Sequence, residues 1–179
     1  MLNNKNIFQN KYNNEYILNL LDIFVSGALL FITPIILQHQ LIVGVIVNAL
    51  LIRCALKHSN KKLLIIALVP NLGALAGGIL LGANTQFLAL MIPFIWAGNF
   101  AIAIVSKKLF LQKKINYFLA VGSGAILKTI ILFGSAFALL QFALVPVAFL
   151  TVFGINQLLT AIGGAIIAYI SIFGFKTKL

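Results

Sequence analysis

Acid is what this chain lacks most. Glu15 and Asp22 are its only carboxylate side chains, against 13 lysines and arginines and a net charge of +11. Charge of either sign is scarce: 8% of residues are charged, where a soluble domain carries about 25%. With 62% of residues hydrophobic, that balance excludes an ordinary soluble fold. Cysteine occurs once, as Cys54, so no intrachain disulfide can form and the thiol is expected to pack as a small apolar group. No GxxxxGK[ST], HExxH or GxSxG pattern is present, nor a pair of carboxylates within a span, so neither an enzyme nor a self-powered pump is expected, and no cofactor. His39 and His58 sit at opposite ends of one span, cannot share a metal, and are expected at the surface. The first fifteen residues are polar and Asn-rich (MLNNKNIFQNKYNNE), without the short apolar core and small-residue site of a cleavable signal.

What the chain has in abundance is long apolar runs. Six are read as membrane-spanning helices, over about 16–38, 41–56, 63–82, 87–106, 117–140 and 146–173. The expectation is an all-α polytopic membrane protein: a polar N-terminal lead, 1–15, and one six-helix transmembrane domain, 16–175. Ile7, Phe8, Tyr12 and Tyr16 in and beside the lead suit a headgroup layer. The second run is short and must thin the bilayer, extend into its flanks or sit partly buried. The sixth is long enough to require tilt or a break near Gly154. Lys5 and Lys11, the loop KHSNKK (57–62), the loop KKLFLQKK (107–114), and Lys176 and Lys178 all fall on one side of this arrangement, and the three opposite turns hold no Lys or Arg. By the positive-inside rule both termini are cytoplasmic and the lipid bilayer, not nucleic acid, explains the basic surplus. The 107–114 loop suits an amphipathic connector on an anionic leaflet or a contact for a cytoplasmic partner, with a plain surface loop as the bland reading.

The informative residues are those that interrupt these runs. Lys128 lies near the middle of GSGAILKTIILFG (122–134). A lysine at that depth costs roughly 2.5–3.5 kcal/mol on insertion scales, so it is expected to face protein, water or a ligand. Snorkelling, or neutralisation by neighbouring amides with no ligand, are the bland alternatives. Pro70 and Pro93 interrupt the third and fourth spans and free the carbonyls of Ile66 and Ala89. An asparagine accompanies each, Asn71 and Asn99, and Trp96 lies three residues before Asn99, on the same face. Asn48 in the second span, and Asn156 and Gln157 in the sixth, bring further amides to similar depth. Lys128, Asn48, Asn71, Trp96, Asn99, Asn156 and Gln157 are therefore the candidate ligand-binding residues, with a site rich in donors and no acid at its level. A ligand with a carboxylate, a phosphate or several acceptor atoms would suit it; a ligand-free network tying helices together is the rival. Asp22, shallow in the first span, is expected to bond Asn19 or a basic loop. With that as the only acid within a span, a self-contained secondary transporter is disfavoured. Gly73 and Gly77, and again Gly78 and Gly82, have the spacing of close helix packing, and Thr160, Gly164 and Ala168 form a small-residue stripe.

The succession VNALLI, ALVPNLGALAGG, LMIPFIWAGN, ILKTIILF and INQLLTAIGG, within about 43–170, resembles the substrate-binding S components of energy-coupling-factor (ECF) transporters. The resemblance implies a six-helix protein of the cytoplasmic membrane with both termini inside. It implies binding of a small micronutrient, vitamin-like or a metal ion, and uptake through a membrane coupling subunit and a cytoplasmic ATPase pair. A structural or assembly protein of the same fold is the alternative.

Overall fold

In a bilayer no water satisfies backbone N–H and C=O groups, so apolar runs of this length must close their hydrogen bonds internally, as helices. A computed structural model describes the backbone of residues 2–78 and 80–174, with side chains from residue 14 onward except Ala83. Among these residues the chain is all-α, without a strand. The helices are α1 (Leu2–Ile36), α2 (Gln40–Lys57), α3 (Asn60–Ile66), α4 (Val69–Gly77), α5 (Leu88–Lys107), α6 (Tyr117–Gln141), α7 (Ala148–Phe153) and α8 (Ile155–Tyr169). A 3₁₀ turn, Gly82–Phe87, leads into α5, and π turns extend α5 over Lys108–Gln112 and α8 over Ile170–Gly174. Ile7, Phe8, Tyr12, and the basic residues Lys176 and Lys178, lie outside the described side chains.

Five segments are long and apolar enough to cross a membrane: Asn14–Ile36, Gln40–Lys57, Asn84–Gln112, Tyr117–Gln141 and Ala148–Gly174. The third apolar run is the exception, and its boundaries need correcting. It is not one helix over 63–82 but α3 and α4, parted at Ala67–Leu68 just ahead of Pro70. It ends at Gly77, because Gly78 adopts a left-handed conformation (φ 65°) that stops the helix. Gly82 is also left-handed (φ 56°), so Gly78 and Gly82 shape a turn and do not pack helices. The sixth run does break at Gly154, between α7 and α8.

α2 holds the centre, packed against α1, α5 and α8. It is short but well covered: 44% of it lies inside the protein, against 17% of the apolar stretch within Asn14–Ile36. Glycines set the closest approaches. Gly73 and Gly77 let α4 lie on the backbone of α1 at Phe31–Ile35, and Gly164 brings α8 onto α2 at Asn48. Thr33, Ser123, Thr129 and Ser135 donate to the carbonyls four residues back in their own helices.

A methyl group at Gly73 would stand 2.1 Å from the Phe31 carbonyl oxygen, whereas one at Gly134 meets nothing within 4 Å. Gly73→Ala is expected to destabilise the protein by roughly 1–3 kcal/mol and Gly134→Ala to leave it unchanged or up to ~1 kcal/mol more stable. Thermal unfolding of both variants in the same detergent checks this, and equal melting temperatures would contradict the packing described.

Candidate functional site

The order of polar groups inside the bundle follows from one ammonium. Lys128 on α6 is only 3% exposed. Its Nζ donates to Asn48 Oδ1 at 2.7 Å and to Asn99 Oδ1 at 2.8 Å. Asparagine suits both positions because its amide accepts at one end and donates at the other. Asn48 Nδ2 donates to Thr160 Oγ1 (3.2 Å), and that hydroxyl donates to the Gln157 carbonyl (3.1 Å). Asn99 Nδ2 donates to the Ala67 carbonyl (3.1 Å). A single run of hydrogen bonds therefore ties α8, α2, α6, α5 and the α3–α4 break.

Three of the four side chains, Lys128, Asn48 and Thr160, have a glycine facing them. A Cβ at Gly98 would be 3.2 Å from Lys128 Cγ, one at Gly164 would be 2.6 Å from Asn48 Cβ, and one at Gly44 would be 2.7 Å from Thr160 Cγ2. The α2 and α8 pairs are reciprocal, Gly44 and Asn48 on one helix against Thr160 and Gly164 on the other.

The proline break supplies acceptors. Leu68 N–H turns to the Ile65 carbonyl and Asn71 N–H to that of Leu68, both one residue short of the α-helical partner. That takes the usual donors off Leu64 and Ala67. Trp96 Nε1 donates to Leu64 (2.9 Å) and Asn99 Nδ2 to Ala67, both from one face of α5. Trp96 and Asn99 do point the same way; the carbonyls they meet belong to Leu64 and Ala67, not to Ile66.

A cavity of about 80 Å³ adjoins Lys128 on the side away from the basic loops. Its polar walls are Lys128, Asn99, Asn71, Gln157 and Gln40; Val47 and Ile95 are among its apolar ones. The amides are loosely held. Asn71 Nδ2 reaches the Ile92 carbonyl at 3.4 Å, and Gln40 and Gln157 reach that of Val152 at 3.4 and 3.5 Å. Those lengths lie beyond the 2.7–3.2 Å of well-formed bonds. Of the seven candidate residues, four line this space, Asn48 lies behind it, and Trp96 and half-buried Asn156 do not border it. Two residues enter that the sequence reading left out. Thr160 had been read as a packing residue and Gln40 as part of an outer turn. The reciprocal Gly44–Asn48 and Thr160–Gly164 spacing is the signal for the first.

A second polar group lies at the basic end. Asp22 pairs with Arg53 and with His58 Nε2 (2.9 Å), and Lys57 stands 3.6 Å away. Arg53 also donates to Ser26 (3.1 Å), and Lys107 donates to the His58 carbonyl (2.6 Å). His58 is thus buried, not at the surface, and of the two partners expected for Asp22 it meets the basic loop, at Lys57 and His58, together with Arg53, and not Asn19. Tertiary contact between α1 and α2 covers the imidazole, which the lysine-rich setting of His58 concealed.

No family profile, curated protein or solved structure matches the chain.

Replacing Asn99 by leucine removes one of the two acceptors of Lys128 and strands the Ala67 carbonyl, and should destabilise the protein by roughly 2–5 kcal/mol. Trp96→Phe removes one bond at the bundle margin and should cost about 1 kcal/mol. Unfolding of both variants in one detergent tests the order; a reversed order would contradict the network.

Proposed function

We propose that this chain is the membrane-embedded binding subunit of an ECF-type uptake transporter, holding a small acceptor-rich or anionic ligand beside Lys128. The observation that carries the proposal is a buried ammonium with no carboxylate partner, held by two amide oxygens at the edge of a cavity with further amide donors. A protonated lysine has three N–H bonds and the asparagines take two, leaving one for a ligand.

The placement of the cavity supports an uptake direction. Its walls include Gln40, Leu81, Leu88 and Val152, from helix ends opposite the 57–62 and 107–114 loops. Under the positive-inside rule those loops are cytoplasmic, both termini with them, and the ligand enters from outside the cytoplasmic membrane. The sequence holds no P-loop, so energy comes from partners: a membrane coupling subunit and a pair of ATPases, as the likeness to S components implies. The site offers hydrogen-bond donors with neither acid nor activated nucleophile, which favours binding over catalysis.

A structural or assembly role is the second reading. It is favoured by the way Asn48 and Asn99 are bonded at both ends, which is what a helix-tying network needs.

Affinity purification of the tagged chain from its native membrane, with native mass spectrometry of the product, separates the two. A binding subunit is expected to bring down a membrane protein with two ATPases and to carry a small molecule, and Lys128→Met is expected to lose that molecule to a greater extent than it loses folded protein. Wild-type protein that carries no small molecule and recovers no ATPase would leave the structural reading standing.

A further inference from the structure

Size and charge of the cavity narrow its ligand. At about 80 Å³ it has roughly half the volume of the engineered cavity that takes benzene, and lies well under the ~300 Å³ where pockets for drug-sized ligands begin. A handful of non-hydrogen atoms fills it. Its polar wall carries Lys128 and the loosely held amides of Asn71, Gln40 and Gln157. The chain's two acids are elsewhere: Asp22 is paired with Arg53 and His58, and Glu15 is exposed on α1. A cation therefore meets hydrogen-bond donors and no carboxylate. The remaining wall is apolar, with Val43, Val47, Leu88, Ile95 and Phe153.

Resting on the binding-subunit reading, we infer that this cavity binds a short-chain monocarboxylate of about acetate size. The carboxylate accepts from Lys128 and the neighbouring amides and supplies the counter-charge that no side chain of the protein provides. Its alkyl end lies against the apolar wall. A dianion would leave excess negative charge against a single lysine, and an inorganic oxyanion such as nitrate would turn acceptor oxygens toward valine and isoleucine.

The test uses the full chain in lipid nanodiscs and ¹³C-acetate, read by saturation-transfer NMR at millimolar concentration. Saturable binding displaced by unlabelled acetate is expected, with acetamide, nitrate and benzoate displacing far less. Lys128→Met should weaken acetate binding roughly ten- to a hundredfold. Gln157→Leu, which leaves the buried run of hydrogen bonds intact, should weaken it roughly three- to tenfold at an unchanged melting temperature and carries the test if Lys128→Met does not fold. No saturable signal from folded wild type, equal displacement by acetamide or nitrate, or equal binding by folded Lys128→Met would each overturn the inference. Recovery of coupling proteins is scored separately: ATPases recovered without acetate binding overturn this ligand assignment alone, and acetate binding without ATPases supports the assignment while removing the uptake role.

Discussion

An ammonium in hydrocarbon must be surrounded by oxygen, and this bundle is built to do that. Lys128 draws one asparagine carbonyl from α2 and another from α5. Each asparagine then needs an acceptor for its own N–H₂, which α8 supplies through Thr160 and the α3–α4 break through Ala67. The requirement thus propagates from one side chain to five elements. Because the side chains are short, the backbones must come close, and Gly98, Gly164 and Gly44 face the three positions where a Cβ would intrude. The bonds set the relative height of the helices, a matter that interchangeable apolar contacts leave loose.

Pro70 does more than remove one donor. Its break moves two N–H groups onto carbonyls three residues back, and the acceptors released are those of Leu64 and Ala67. The donors of Trp96 and Asn99 are committed to them. That changes which groups face the cavity. Trp96 serves the break, Asn99 serves both the break and Lys128, and the groups with slack are Asn71, Gln40 and Gln157. Pro70 here marks a backbone repair first and a cavity wall second.

Much of this was legible in the sequence. Lengths of apolar runs located α2, α5 and α6 to within a residue or two, and the depth of Lys128, Asn48 and Asn99 within those runs was enough to bring them together. The third run misled because hydropathy does not register a left-handed glycine: Gly78 is as compatible with a membrane run as Gly77, yet only its backbone conformation ends the helix. Thr160 was missed because a threonine in a span is usually satisfied by its own helix, as Thr33 and Thr129 are. Only the register of α8 on α2 gives it a second bond. Gln40 was missed because residues at the end of a span read as turn, and the cavity reaches that far outward.

The chain's two treatments of positive charge differ in a way that bears on function. At the basic end, where water and headgroups are close, Arg53 and His58 share a carboxylate, Asp22. Deep in the bundle Lys128 receives only amides. A carboxylate there would add a second desolvation cost of several kcal/mol to form a neutral pair. Amide oxygens solvate the ammonium at lower cost but carry no net charge, so the field of the lysine is not cancelled. A network that served only to fasten helices would be as well built from amides and hydroxyls alone, as the Asn48–Thr160 and Asn99–Ala67 links already are. When protonated, the lysine adds a charge that those links do not need and that neither acidic side chain neutralises, beside the cavity where an anion would.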